Sequence, residues 1–112
     1  MQVPLTITAH GMDLPASVES LIRERFDNLE RYHPRIVSCR VTVEGPGEHH
    51  RTGGPYSLKV IVRVPARELV VTLQGAEDPL VAIREAFDAM RRQVQDAVRV
   101  RRGKIKRHEG GR

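Results

Sequence analysis

Residues 56–73, YSLKVIVRVPARELVVTL, decide the fold of this chain. Tyr56, Leu58, Val60, Val62 and Val64 are apolar at every second position, the period of a strand that buries one face. Pro65-Ala66-Arg67 is a tight connection that reverses the chain, and Leu69 to Leu73 returns as the next strand. Before this hairpin, Val37, Cys39, Val41 and Val43 alternate with Ser38, Arg40, Thr42 and Glu44, which predicts a further half-buried strand. Residues 45–55, between the two, are rich in Gly, Pro and His and show no apolar pattern. They are expected to form a long, mobile loop that folding and binding do not require. At the start, Val3, Leu5 and Ile7 alternate with Pro4, Thr6 and Thr8 as a first strand. Pro4 suits a position whose backbone has no ladder neighbour.

Two helical segments complete the pattern. From about Pro15 to Tyr32, the residues Val18, Leu21, Ile22, Phe26, Leu29 and Tyr32 fall on one stripe at 100° per residue, and Pro34 stops the helix. In the second segment Asp78 is the expected N-cap, Pro79 fits the first helical position, and Gly103 is the expected stop. Leu80, Ile83, Phe87, Met90, Val94 and Val98 form its apolar stripe. A helix of that span is about 36 Å long, so its last turns should project past a small sheet. The expected architecture is α+β, a single domain in the order β-α-β-β-β-α. Both helices pack on one face of a four-stranded sheet and leave the other face exposed. Residues 1–102 are the expected domain and residues 103–112 a basic, flexible tail.

The net charge of +5 is not spread evenly. Residues 1–96 hold 12 Lys/Arg against 13 Asp/Glu, whereas residues 97–112 hold seven basic residues and only Glu109. A block of this kind attracts polyanions, a phosphate backbone above all, although a basic tail can also serve only solubility. Arg84, Arg91 and Arg102 lie within about 20° of one another along one border of the second helix's apolar stripe. Arg99 and Arg101 flank this row, and Lys104, Lys106 and Arg107 continue it. Arginines bridge phosphate oxygens bidentately, so the row suits a folded RNA backbone. A solvated face salted with Glu85, Asp88 and Asp96 explains the first half of the helix equally well, but no acid occurs in residues 97–107. Arg25 projects inside the apolar stripe of the first helix, so its stem must pack while its head emerges in the groove between the helices.

Other chemistry is sparse. His10, His33, His49, His50 and His108 are scattered, and no cysteine cluster accompanies them, so neither a metal site nor a cofactor is expected. The sequence has no glycine-rich phosphate loop, nucleophile elbow or paired-carboxylate motif, and the chain reads as a non-enzyme. Cys39 is the single cysteine and sits in a strand, where it reads as a small buried hydrophobe. With no disulfide, signal peptide or spanning segment in view, the expected compartment is the cytoplasm, with no membrane partner. Aromatic residues make up only 4%, which disfavours base stacking on an open sheet and favours backbone recognition by helices.

The order of elements and two segments resemble the short ribosome hibernation-promoting factor and ribosome-associated translation inhibitor family over roughly residues 2–102. In the first helix, Arg25-Phe26-Asp27-Asn28-Leu29-Glu30-Arg31-Tyr32 followed by Arg35-Ile36 is similar to that family's basic-Phe-x-x-Leu-Glu-x-Tyr segment. In the second, Asp78, Ala82-Ile83, Asp88, Met90 and Arg92-Gln93-Val94 resemble its Asp-x-x-x-Ala-Ile and Arg-Gln-aliphatic pattern. Arg25 and Arg92 stand at basic family positions. Asn28, Pro79-Leu80 and Asp96-Ala97-Val98 depart from the pattern, and Arg99, Arg101 and Arg102 supply positive charge further on. The resemblance implies binding to the small ribosomal subunit and its rRNA in the decoding region. There the protein would block messenger and transfer RNA and hold ribosomes inactive under stress. It also implies a short form, monomeric when free, without the dimerising domain of longer members. The expected rRNA contacts are Arg25, Arg84, Arg91, Arg92, Arg99, Arg101, Arg102 and Lys104. Two other readings remain open: a double-stranded-RNA-binding module, or a protein-interaction module that modulates a transcription factor.

Overall fold

The computed structural model describes residues 4–45 and 55–109, residues 100–109 by their backbone alone. Its elements follow the expected order: β1 (Leu5–His10), α1 (Ala16–Tyr32), β2 (Ser38–Glu44), β3 (Tyr56–Val64), β4 (Arg67–Ala76) and α2 (Pro79–Glu109). The strands form one sheet in the order β1-β2-β3-β4. The β1–β2 pair is parallel because α1 carries the chain back across the sheet, while β2–β3 and β3–β4 are antiparallel. The loop expected at residues 45–55 falls mostly on positions 46–54, outside the described residues.

Register puts every apolar alternate on one face. Leu5, Cys39, Val62 and Leu69 form one row across the sheet, and Ile7, Val41, Val60 and Val71 the next. These rows and the stripes of α1 and α2 make one core, with Ile22, Phe26, Ile83 and Met90 at its centre. α2 lies over β3 and β4, and α1 lies beside it and against β1. Burial pushes the Cys39 thiol up to about 12, so it stays neutral and behaves as the small hydrophobe the alternation implies.

The opposite face carries Thr6, Arg40, Ile61 and Val70 in one row and Thr8, Thr42, Lys59 and Thr72 in the next. Neither helix covers it. At the β4 edge, the Gln93 amide of α2 donates to the Val70 carbonyl at 3.1 Å, which ties the helix to the margin of the sheet.

Three local expectations are corrected. Val37 is 51% exposed, and Ile36 is buried in its place. The chain is still turning after Pro34, so the alternation begins only at Ser38. Tyr32, assigned to the stripe of α1, is 74% exposed on the last helical turn. Gly103 does not end α2, whose backbone stays helical to Glu109. A glycine costs a helix interior only about 1 kcal/mol, and the arginines and lysines around it are good helix formers. At its start α2 is as expected: Asp78 Oδ1 accepts from Leu80 N–H at 2.9 Å, and its carbonyl accepts from Ala82.

Two positions show how tightly the sheet is closed. Ala66 takes a positive φ of 67° behind Pro65, the residue pattern of a type II turn with alanine where glycine is usual. Gly45 lets the end of β2 lie against Met12, since a Cβ there would come within 2.8 Å of that side chain. Its N–H donates to the His10 carbonyl at 2.8 Å and closes the β1–β2 end.

Candidate nucleic-acid interface

Thirty-one residues make α2 about 46 Å long, beyond the reach of strands of 6 to 10 residues. The molecule is correspondingly elongated, 62 Å along its longest axis against 28 and 19 Å across. The basic C-terminal stretch therefore lies on a helix that projects past the sheet. Arg101, Arg102 and Lys104 fall on this segment, where only the backbone is described. Arg84, Arg91, Arg92 and Arg99 are exposed on α2. Arg99 makes one loose ion pair with Asp96, 3.7 Å between two exposed groups, which holds it little.

The sharper feature is the groove where α1 and α2 lie side by side. It encloses about 240 Å³. Leu29 and Phe87 contribute its apolar surface, and Arg25, Asn28, Tyr32, His33, Asp88 and Arg91 its polar surface. The residues from α1 recur at 25, 28, 29 and 32, the i, i+3, i+4, i+7 spacing of one helix face. Phe87, Asp88 and Arg91 answer them from α2. Arg25 thus lines the groove that its place in the stripe points to, as Arg91 does from α2.

Two residues that line this groove each have a buried nitrogen without a hydrogen-bond partner: Arg25 Nε and His33 Nε2. Leaving a buried polar group unpaired costs about 1–3 kcal/mol, more for a charged one, so a side-chain movement that brings either atom to a partner in the groove is favoured. His33 is placed there by the end of α1. It caps the helix, its N–H donating to the Leu29 and Glu30 carbonyls, and Pro34 turns the chain away. Burial holds its imidazole below the ordinary 6.5, so the ring is neutral at pH 7. Neither Arg25, Arg91 nor Asp88 makes an ion pair among the described residues. With His33 neutral, the groove lining holds two guanidiniums, Arg25 from α1 and Arg91 from α2, and one carboxylate, Asp88 from α2. Such an arrangement can bind an anion at its centre and offer Tyr32 as a flat wall.

Residues 5–102 match the family described as Sigma 54 modulation protein / S30EA ribosomal protein. The chain belongs to the S30EA ribosomal protein family. This bears out the resemblance to the ribosome hibernation-promoting factors, and it places the chain among ribosome-associated modulation proteins. Two solved structures are similar in fold. A ribosomal subunit interface protein from Coxiella burnetii superposes with a TM-score of 0.71 at 9% identity, covering 85% of this chain and 97% of that one. The Thermus thermophilus Protein Y N-terminal domain gives 0.66 at 17% identity, covering 86% and 98%. No curated protein sequence matches this chain. Since the family match takes in β1, whose strand lies in register beside β2, the double-stranded-RNA-binding alternative falls away.

Within this S30EA fold, two of the basic residues singled out by sequence, Arg25 and Arg91, share one groove. Arg84, Arg92 and Arg99 stand elsewhere on α2, exposed and outside the groove lining. Asn28, Tyr32, His33 and Asp88 are groove residues that patterning did not assign to a site. The recurrence from Arg25 through Asn28 to Tyr32 could have exposed the first two. His33 lies beyond the helix end and has no such signal.

Proposed function

We propose that this S30EA-family chain is a non-catalytic cytoplasmic factor that binds small-subunit rRNA near the decoding region. It is a monomer when free; bound there, it blocks messenger and transfer RNA and keeps ribosomes inactive under stress. The contacts are Arg25, Arg84, Arg91, Arg92, Arg99, Arg101, Arg102 and Lys104. The observation that carries this reading is the convergence of Arg25 and Arg91, on two different helices, beside a basic helix that outruns the sheet. The open sheet face supports it by contrast. Arg40, Lys59 and Arg63 are mixed there with Glu44 and Glu68, and none of its described residues is Phe, Tyr or Trp, His10 at its β1 end being the one aromatic ring. That face offers neither a one-sign field nor a stacking platform for RNA.

Binding to isolated small subunits should weaken steeply with salt, because each arginine–phosphate contact releases counterions. For about eight contacts, affinity should fall by roughly 10³–10⁴ between about 50 and 200 mM salt. An affinity unchanged over that range would remove phosphate contact from the reading. The alternative, a protein-interaction module modulating a transcription factor, would then stand.

A further inference from the structure

We propose that the groove between α1 and α2 is a pocket for one nucleoside-bearing phosphate group, held by Arg25, Arg91 and His33. The inference rests on the RNA-binding reading of this face and adds the chemistry of a single contact to it. The buried, unpartnered atoms are nitrogens, Arg25 Nε and His33 Nε2, and both residues line the same groove. Arg25 Nε–H can only donate, so its missing partner is an acceptor. Arg91 adds a second guanidinium from the opposite helix, and a phosphate is the anion that two such forks match. The volume, about 240 Å³, falls below the roughly 300–1,000 Å³ of ordinary small-molecule sites. It suits one nucleotide unit rather than a whole cofactor. Tyr32, mostly exposed at the rim, offers a ring on which the attached base can stack, and Asn28 an amide for its edge.

His33 gives the pocket a pH signature. Its neighbours in the groove are Arg25 and Tyr32 from α1 and Asp88 and Arg91 from α2. Without ligand, burial keeps the ring neutral at pH 7. A phosphate beside it favours the imidazolium, so binding takes up a proton and tightens as pH falls from about 7.5 toward 5.5. The gain levels off below the pKa of the free ring, where both states are charged.

The same phosphate chemistry can come from an RNA backbone or from a free nucleotide. The test titrates the full chain with a ribodinucleoside monophosphate, a nucleoside 5′-monophosphate and the nucleoside alone. NMR follows the Arg25 Nε–H and His33 ring signals. The diester keeps a fixed charge over this pH range and is the probe for the pH series. We expect the Arg25 and His33 signals to move with at least one phosphate ligand and not with the nucleoside. Tighter binding of the diester assigns the pocket to RNA, and tighter binding of the monoester assigns it to a free nucleotide. Arg91→Gln should weaken the binding at least tenfold. His33→Gln should abolish a severalfold pH dependence without disturbing the fold. Equal binding of nucleoside and diester, unmoved Arg25 and His33 signals, or pH-independent affinity would overturn the proposal. Small-subunit binding in parallel separates the two claims. If subunits bind and the dinucleotide does not, only the pocket is wrong. If the dinucleotide binds and subunits do not, the ribosomal reading is wrong.

Discussion

Arg84, Arg91 and Arg102 replaced together by Gln should lower small-subunit affinity at least tenfold while changing unfolding stability by no more than about 1 kcal/mol. Arg84 and Arg91 are exposed and lie outside the core, so Gln keeps helix propensity and part of the stem packing. Removing a few charge-assisted contacts of roughly 1 kcal/mol each accounts for a tenfold loss or more. Arg25→Gln should act in the same direction, since its head lies in the groove opposite Arg91. Arg40→Gln is the control: Arg40 is exposed on the open sheet face, in one row with Thr6, Ile61 and Val70. It should bind as the parent does. Denaturant unfolding and subunit binding on the same preparations check both halves. Normal binding by the triple variant with loss in Arg40→Gln would move the RNA surface to the open sheet.

Phe26→Ala should have the largest effect on stability, about 3–5 kcal/mol. Phe26 is almost fully buried on α1, on the same helix face as Ile22 and Leu29, and belongs to the single core. Its loss removes much of what seats α1 beside α2, and so the wall that carries Arg25 and His33. The melting temperature should fall by more than about 10 °C in one transition, because sheet and helices share that core. A cost under about 1 kcal/mol would mean that α1 is not packed as described.

These variants also mark how far the sequence can be read. The sheet was legible because the period-two pattern of Leu58 through Val64 and Leu69 through Leu73 has one solution: a half-buried antiparallel ladder. The same alternation misled at Val37, where the turn after Pro34 hands the core position to Ile36. Tyr32 shows the parallel failure for helices. A wheel extends the stripe to the last turn, but there the two helices leave a groove between them, and Tyr32 lines it instead of entering the core. Gly103 failed because helix stop signals are weak against a run of good helix formers.

The site divides along the same line. Arg25 was legible because a charge inside an apolar stripe must emerge at its margin. That it shares a groove with Arg91 was not, since the periodicity of each helix fixes its buried face but not which turns lie opposite. His33, read among scattered histidines, depends on that crossing and on the break made by Pro34.

The most direct measurement is chemical footprinting of small-subunit rRNA with and without the protein, at low salt, for the parent and the triple Gln variant. If α1 and α2 seat the chain on RNA near the decoding region, the parent should protect nucleotides there and the variant should lose those protections. Protections confined to another part of the ribosome, or identical footprints from parent and variant, would contradict it.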